Sequence, residues 1–378
     1  MKKLIIPFVF IFLSLSMYGQ KAAAVGIKGK FGFIKEDGSW LLEPSYDKVG
    51  DFSDGMAAVY KGKSWGYIDA TGNEVLTPQF DKVKGFNNGV ALVSKDKRWY
   101  YIDKSGTELS LPDSDKLYDF DHGVAFYRKG DKVGLFDTSG NIVVEPKYDR
   151  IFEPSNGYAK VELNGKYGLI DLKGQELIKP EYEAVGSYSE GLVPLTDNGT
   201  VGLWKEGTFV PVENAKKIWD FYDGEELAYA LSTNDKVGFI NRDGAWVVEP
   251  KFDKARRFSQ GLAPVTTDGK KWGYVNEVGT VVIEERFKDA EFFSKEGLAP
   301  VKLDKEWGFI DPQGNLVIED KYGITANSFT TLFTGQEKGF INGFAKVKYK
   351  KKWGFINDKD ELLNNTWYDN AENFKDVK

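Results

Sequence analysis

Apolar and polar positions alternate over short segments along the whole chain. In residues 65–69 (WGYID), Trp65 and Tyr67 fall on one face of a strand, and Gly66 and Ile68 fall on the other. An apolar stripe with the i, i+3, i+4, i+7 spacing of a helix persists for three turns nowhere in the sequence. The pattern therefore predicts an all-β protein built from short strands.

The aromatic–glycine pair in this segment recurs at a nearly constant interval. Nine of the ten recurrences keep the glycine, and the steps are 34, 34, 34, 34, 34, 36, 35, 35 and 46 residues. The positions are Gly32, Gly66, Tyr100, Gly134, Gly168, Gly202, Gly238, Gly273, Gly308 and Gly354. About ten units of about 34 residues thus fill residues 21–378 and leave no room for a separate domain.

Each unit repeats the same elements in the same order. A D-x-x-G segment follows the aromatic–glycine pair, and Asp first with Gly last is typical of a tight turn between two strands. A β-branched run then leads into P-x-Y-D or a close variant, and the unit closes on Phe in segments such as DFSDG. The recurrent Gly indicates that the backbone or a ring of the neighbouring unit approaches closely. We predict about three short strands per unit.

These repeated elements resemble the WG-repeat family of bacterial proteins, also called KWG repeats, over about residues 22 to 378. Some units depart from the pattern. Tyr100 replaces the Gly of the third unit, Val133, Val201 and Val237 replace the Trp, and the sixth unit lacks P-x-Y-D. The resemblance implies an architecture and no common biochemical activity.

A single unit cannot bury its apolar faces, so neighbouring units must cover one another. An open, solenoid-like stack accepts any number of units, whereas a β-propeller usually closes with four to eight larger blades. Ten units of about 34 residues fit the open array better. A β-propeller is the alternative, and two five-bladed rings are a further possibility.

The first twenty residues differ from the repeats. Lys2 and Lys3 precede an apolar run from Leu4 to Leu15, followed by small and polar residues. This order is typical of a cleaved secretory signal peptide, and an uncleaved anchor is the alternative. The run is short for a bilayer span. We therefore predict a signal peptide over residues 1–20, export to the periplasm, the cell surface or the medium, and no transmembrane segment after cleavage.

Charge narrows the choice of partner. Without Lys2 and Lys3, 49 basic residues face 57 acidic ones, a net charge of −8. This balance argues against nucleic acid as a partner. The chain has no Cys, so packing and not disulfides must stabilise an exported fold.

Little in the sequence predicts catalysis or a cofactor. A pair of carboxylates could cleave a glycoside, but here a carboxylate recurs in unit after unit, which favours turns and caps. With no Cys and His122 as the only His, a metal site is not expected. Phosphate-binding glycine motifs are also missing, so we predict no cofactor.

Two irregular segments of the chain contain the candidate binding residues. The last interval is lengthened by residues 323–343, where Phe329, Leu332 and Phe333 could form an apolar contact. The sixth unit adds Trp219 and Tyr222, which could equally be displaced core residues.

Together these features predict an exported, non-enzymatic repeat protein. It would act as a binding or interaction scaffold at the cell envelope, with a protein or a glycan as its partner. A carbohydrate-active hydrolase is one alternative, and it requires two carboxylates about 5 to 10 Å apart in a deep pocket. A purely structural envelope component is the other.

Overall fold

The computed structural model describes residues 19–324 and 338–377, which form ten antiparallel sheets in sequence order. Each sheet is a blade in which strands that follow one another in the chain lie side by side. The first strand is short in most blades, the second carries segments such as VALVSK, and the third carries the aromatic–glycine pair. The all-β, tandem-repeat prediction is confirmed, but six of the ten blades have four strands where about three per unit were predicted.

The strands of blades 1 to 5 have the following bounds. Blade 1 has Lys21–Ile27, Lys30–Lys35 and Trp40–Tyr46, joined by Asn370–Ala371 and Lys375–Asp376; blade 2 has Lys48–Ser53, Met56–Lys61, Ser64–Asp69 and Glu74–Phe80; blade 3 has Lys82–Val83, Val90–Lys95 and Arg98–Asp103; blade 4 has Val124–Lys129, Lys132–Asp137 and Ile142–Tyr148; blade 5 has Arg150–Ile151, Tyr158–Leu163, Lys166–Asp171 and Glu176–Tyr182.

The strands of blades 6 to 10 follow the same scheme. Blade 6 has Ala184–Val185, Leu192–Asp197, Thr200–Lys205 and Thr208–Pro211; blade 7 has Ala215–Ile218, Leu227–Ser232, Val237–Asn241 and Trp246–Phe252; blade 8 has Lys254–Ala255, Leu262–Thr266, Trp272–Asn276 and Val281–Phe287; blade 9 has Asp289–Ala290, Ala299–Lys302, Trp307–Ile310 and Leu316–Tyr322; blade 10 has Phe340–Ile341, Phe344–Tyr349 and Lys352–Ile356. One turn of 3-10 helix spans Leu363–Asn365.

The D-x-x-G segments form the predicted turns between the third and fourth strands. In blade 2, the Asp69 carboxylate accepts hydrogen bonds from the N–H groups of Thr71 at 2.8 Å and Asn73 at 3.0 Å. Gly72 has a φ of +88°, a conformation that favours glycine. Asp and Gly are therefore required by the turn itself.

The recurrent glycine of the third strand permits a close approach, as predicted, but the approaching chain belongs to the same blade. A Cβ atom on Gly66 would lie 2.3 Å from the carbonyl oxygen of Leu76 in the fourth strand. Tyr100 is tolerated in blade 3, where the fourth strand is reduced to a single bridge between Ile102 and Glu108. The exception in the sequence thus coincides with the missing close contact.

The core lies between successive blades. Tyr67 and Phe80 of blade 2 pack in one cluster with Phe86, Val93 and Ile102 of blade 3, and all five side chains are buried. Burial of such apolar side chains contributes about 1.5–3 kcal/mol each. Neighbouring blades therefore cover each other, which confirms the predicted stacking of units.

The two ends of the chain meet in blade 1. Val25 and Gly26 pair with Ala371 and Asn370, and Ala22 pairs with Lys375, so the C-terminal segment adds to the sheet of the N-terminal strands. Phe374 and Val377 are buried beside this junction. The array is closed, and the protein is a ten-bladed β-propeller, the alternative to the open stack.

A single ring includes all the blades. Blades 5 and 6 are in contact, because the rings of Tyr158 and Tyr188 lie 4.3 Å apart and Asn156 donates a hydrogen bond to the Tyr188 carbonyl. The C-terminal strands close on blade 1, and Lys375 also pairs with Asp51 of blade 2 at 2.6 Å. Two separate five-bladed rings are inconsistent with these contacts.

Candidate binding groove

The loops between the first and second strands touch one another from blade to blade. The Ser53 hydroxyl donates a 2.6 Å hydrogen bond to the carbonyl oxygen of Phe86, one repeat later. Ser259 donates an equivalent bond, 2.7 Å long, to Phe293. Between such loops, Gly89 donates its N–H to the Asp54 carboxylate at 2.5 Å. These bonds thus bring equivalent positions of successive blades together.

One position beside these loops varies strongly between blades. We call it the exit residue: it lies two positions before the residue, usually Phe, that closes each repeat unit. The N–H groups of Phe152 and Arg256 at this position donate to the second strands of their blades, at Lys160 and Pro264. The exit residues, from blade 2 to blade 10 and then blade 1, are Gly50, Lys84, Tyr118, Phe152, Gly186, Trp219, Arg256, Glu291, Lys338 and Glu372.

Three cavities adjoin along blades 3 to 7. The largest, about 810 Å³, lies over blades 3 to 5 and shares Glu153 with a second cavity of about 160 Å³. That second cavity shares Gly186 and Asp220 with a third of about 320 Å³, which reaches blade 7. We call this surface the aromatic groove, because each of these five blades contributes an aromatic side chain to it: Trp99, Tyr118, Phe152, Tyr188 and Trp219.

The aromatic side chains of the groove are partly open to solvent and supported from behind. Trp99 is 36% exposed, although large aromatic side chains are usually buried. Tyr118 packs edge to face on Phe126, with 5.3 Å between ring centroids, and Trp219 stacks on Tyr229 at 4.7 Å. These contacts fix the orientation of the rings, which lowers the entropy that a ligand contact would cost.

Lysine side chains lie over several of these rings. The ammonium groups of Lys116, Lys160 and Lys217 lie 4.7, 4.5 and 4.5 Å from the ring centres of Tyr118, Phe152 and Trp219. Such cation–π contacts are weak at exposed sites, about 0.5–1 kcal/mol. A ligand can therefore displace a flexible Lys chain from a ring face at little cost.

A carboxylate follows the aromatic exit residue in three blades. The pairs are Tyr118–Asp119, Phe152–Glu153 and Trp219–Asp220. Asp119 forms a 2.9 Å ion pair with Lys84 of blade 3, and Asp220 accepts the N–H of Ser187 of blade 6 at 2.8 Å. Glu153 is exposed and forms no ion pair or hydrogen bond within the part of the chain that the structure describes.

The carboxylates that recur in most units have structural partners. Asp149, from the P-x-Y-D segment, binds Lys132 of blade 4 at 2.6 Å and the N–H of Asn164 in blade 5 at 2.6 Å. The bond from Lys132, followed by that from the Asn164 backbone, holds the pKa of Asp149 below its ordinary value. This carboxylate joins two blades, in agreement with the turn-and-cap interpretation of the repeated acids.

The candidate residues chosen from the sequence fall in different places. Trp219 lines the aromatic groove. Tyr222 lies in the next loop, is 44% exposed, and faces the guanidinium of Arg257 at 4.5 Å. Phe329, Leu332 and Phe333 lie outside the described residues.

Sequence reasoning missed Trp99, Tyr118, Phe152 and Tyr188 as groove residues. Aromatic residues are frequent in every unit, so their identity alone does not separate core from surface. The available signal is the exit position, where Gly, Lys, Arg and Glu in other units show that no common packing partner is required.

Two further properties concern the described residues as a whole. Within residues 19–324 and 338–377, no helix has the length and hydropathy needed to cross a membrane. In the same ranges, no group of three or more His, Asp or Glu side chains could hold a metal ion.

The fold and this groove define a closed β-propeller with one aromatic sector. The sequence model described as WG containing repeat matches residues 31–64, 65–99, 101–132, 134–167, 167–200, 238–270, 272–307 and 307–323. These matches cover more than half of the chain, which therefore belongs to the WG containing repeat family. The unmatched stretch from 201 to 237 includes the sixth unit, which also lacks P-x-Y-D.

Other comparisons give only distant similarities. A search among curated proteins found no match. Among solved structures, a eukaryotic initiation factor is 8% identical over 94% of this chain and 98% of its own, with a TM-score of 0.48. The computationally designed Ika8 protein is 12% identical over 70% and 93%, with a TM-score of 0.34, and BamB from Moraxella catarrhalis is 10% identical over 77% and 91%, with a TM-score of 0.32. These scores are too low to support any functional argument.

Proposed function

We propose that the protein is an exported interaction scaffold whose aromatic groove binds a partner macromolecule at the cell envelope. The observation that carries this proposal is the set of aromatic–carboxylate pairs at the exit positions of blades 4, 5 and 7. The repeat does not require these residues, since other blades have Gly, Lys or Glu there. Partly exposed aromatic side chains are enriched where proteins bind other molecules.

The chemistry of the groove favours a polar, roughly uncharged ligand chain. Its lining includes the acids Asp119, Asp121, Glu153 and Asp220 and the bases Lys84, Lys116, Lys160 and Lys217. Four acids and four bases balance, so a polyanion or a polycation gains no net attraction. A polypeptide segment or a glycan fits this lining, and the net charge of the whole chain disfavours nucleic acid.

Export is supported by the N-terminal sequence and by the position of the first strand. Residues 1–20 have the order of a signal peptide, and the strand Lys21–Ile27 begins directly after it. Cleavage after Gly19 or Gln20 would leave that strand complete for pairing with the C-terminal segment. The mature protein would then reside in the periplasm, at the cell surface or in the medium.

A binding role without catalysis is the simpler use of this groove. Asp119 is held by Lys84, Asp121 lies 2.9 Å from the imidazole of His122, and Asp220 accepts a backbone N–H. Glu153 is therefore the groove carboxylate without such a partner among the described residues. Glycoside cleavage needs two carboxyl groups that cooperate across one bond. We therefore propose a non-enzymatic scaffold.

The test is a pull-down from envelope extract together with a glycan array. We expect the wild-type protein to retain a defined partner and the Tyr118→Ala/Trp219→Ala variant to lose it. Tyr222→Ala is the matched control, because Tyr222 is an exposed aromatic residue outside the groove lining. Equal retention by all three proteins would reject the groove as the binding site, and polysaccharide hydrolysis would reject the non-enzymatic assignment.

Localisation is tested separately. Expression of the full chain in a Gram-negative host, followed by fractionation and N-terminal sequencing, should give a mature form that begins at Gln20 or Lys21. A chain that keeps residues 1–20 in the cytoplasm would refute export.

A further inference from the structure

The outer edges of the blades differ in one residue that controls strand pairing. The fourth strand is the last strand of its sheet, so one side of its backbone has no partner strand. Five fourth strands carry a proline at the same position: Pro44, Pro78, Pro146, Pro180 and Pro250. Proline removes a backbone N–H and is one of the means by which natural edge strands avoid pairing with another chain.

Blades 8 and 9 lack this proline, and they are neighbours in the ring. Distances from the recurrent glycine show which residues of blades 8 and 9 occupy the position of this proline. A Cβ atom on Gly238 would lie 2.8 Å from the nitrogen of Pro250. A Cβ atom on Gly273 would lie 2.7 Å from the nitrogen of Glu285, and one on Gly308 would lie 2.9 Å from the nitrogen of Asp320. Glu285 and Asp320 therefore replace the proline in blades 8 and 9. Because proline fits this position in five blades, the third strand does not need the N–H there.

The remaining blades have short or incomplete outer edges. The fourth strand of blade 6 has four residues and ends at Pro211. Blade 3 has a single bridge from Ile102 in place of a fourth strand, and blade 10 has bridges from Trp353 and Ile356. Within the described residues, the full-length edges without proline are therefore Val281–Phe287 and Leu316–Tyr322.

These two strands also expose apolar side chains. Val281 and Val282 are 47% and 44% exposed, and Leu316 and Val317 are 44% and 47% exposed. Apolar residues are exposed on some proline-containing edges as well, so exposure alone does not distinguish blades 8 and 9. The fourth strands with and without proline are all bulged opposite the recurrent glycine. Blades 8 and 9 thus lack only the proline within the bulge, and their exposed apolar residues accompany a main-chain N–H that natural edge strands usually remove.

The acidic residues on the outer strands of blades 8 and 9 favour a basic partner strand over a second copy of the same edge. Glu284 and Glu319 occupy equivalent exposed positions, and neither forms an ion pair or hydrogen bond to the described residues. Each edge also carries a base, but Arg286 donates to the carbonyl oxygen of Gly314 at 2.6 Å and Lys321 pairs with Asp360 at 2.5 Å. A second copy of the same edge would therefore bring Glu towards Glu, and like charges on paired strands are destabilising. A strand that alternates apolar and basic residues would instead cover the valines and pair with the carboxylates.

We propose that the outer strands of blades 8 and 9 are β-augmentation sites, each of which accepts an extended segment of another protein with alternating apolar and basic residues. In this mode, main-chain hydrogen bonds hold the added strand, and its side chains determine specificity. This surface is separate from the aromatic groove, so the two proposals can fail independently.

The probe is a fluorescent peptide of alternating Val and Lys, seven residues long to match each edge strand. A Val–Glu peptide of the same length is the control for charge. We expect the Val–Lys peptide to bind the full protein, to raise its anisotropy, and to slow amide exchange in residues 281–287 and 316–322. The Val–Glu peptide should bind about tenfold more weakly or not at all.

The matched variants exchange the edge residues between blades. Asp320→Pro and Glu285→Pro introduce the residue that five sister blades already accommodate, and we expect the double variant to lose peptide binding while it keeps its fold. Asp320→Pro alone is the cleaner change, because the Glu285 carboxylate also accepts the N–H of Thr267 at 2.9 Å. Pro250→Glu should create a third site on blade 7.

Each outcome of the experiment decides the proposal. Binding that survives the double proline substitution, equal binding of the Val–Glu peptide, or protection of amides elsewhere would overturn it. Dimerisation of the free protein that the proline substitutions abolish would show that the occupant is a second copy and would also overturn it.

Discussion

The hydroxyl of Tyr274 in blade 8 donates a 2.8 Å hydrogen bond to the carbonyl oxygen of Glu291, the exit residue of blade 9. Tyr101 in blade 3 makes the same bond, 2.7 Å long, to Tyr118 in the aromatic groove. Burial, reinforced by the charge of Glu291, raises the pKa of Tyr274 well above its ordinary value, so the hydroxyl keeps its proton. A third-strand tyrosine thus fixes the main chain that carries the next blade's exit residue.

Removal of this hydroxyl should weaken the junction between blades 8 and 9. We expect Tyr274→Phe to lower the free energy of unfolding by about 1 kcal/mol, because a buried carbonyl loses its donor. Tyr182→Phe is the control, since the Tyr182 hydroxyl donates no hydrogen bond within the described ranges. Urea denaturation of both variants measures the difference, and equal midpoints would show that the bond contributes nothing.

The glycine beside the aromatic residue should not tolerate a side chain. In blade 4, a Cβ on Gly134 would lie 2.0 Å from the carbonyl oxygen of Val144. Because backbone atoms on both strands would have to move, we expect Gly134→Ala to destabilise the protein by more than about 3 kcal/mol. Gly50→Ala is the control, since the nearest atom to its Cβ would be 3.5 Å away. Similar unfolding midpoints for the two alanine variants would contradict the close-approach explanation.

The turn and junction carboxylates should make stability depend on acidic pH. A hydrogen bond from the Asn141 side chain lowers the pKa of Asp137, and one from Lys132 lowers that of Asp149. Groups with a lowered folded-state pKa stabilise the protein fully above their unfolded value of about 4. This stabilisation is lost as the pH falls through the folded-state pKa values.

We therefore expect the melting temperature to be constant from pH 7 to about pH 5 and to decrease at lower pH. Asp137→Asn, which keeps an acceptor for the turn amides and cannot titrate, should reduce the slope below pH 4. Thermal melts of both proteins from pH 7 to about pH 3 provide the measurement. A melting temperature that rises on acidification would contradict the signs of these pKa shifts.

Ring closure should depend on the last ten residues. Deletion of residues 369–378 removes the strands Asn370–Ala371 and Lys375–Asp376 together with the buried side chains of Phe374 and Val377. We expect the shortened chain to have a larger radius of gyration and a lower unfolding midpoint, measured by small-angle scattering and urea denaturation. Lys375→Ala, which removes an exposed ion pair with Asp51, should change stability by less than about 1 kcal/mol. A compact, fully stable deletion variant would show that the ring closes without these strands.

The sequence predicted the local structure well because the responsible interactions are local. Asp69 and Gly72 lie within one turn, and the side chain and the φ angle that the turn requires are properties of those residue types. Ile68 is buried as its alternating position indicates. The exceptional Tyr100 was visible in the sequence, but its explanation, the missing fourth strand of blade 3, required the structure.

The groove was only partly predictable. The irregular sixth unit singles out Trp219, whereas no feature of the repeat spacing singles out Tyr118 or Phe152. Each of these side chains lines a cavity only because the exit residues of successive blades are brought together around the ring. Contacts between residues one repeat apart, such as Asn156 with Tyr188, are not encoded in any single segment.

The sequence by itself determined the number of units, their β structure and turns, and which positions must be apolar, because alternation and turn chemistry act over a few residues. Only the tertiary structure decided that the array closes. Closure of the ring depends on pairing between Val25 and Ala371 at opposite ends of the chain, and on the accumulated rotation between blades. No repeat contains this information, since closure is a property of all ten units together.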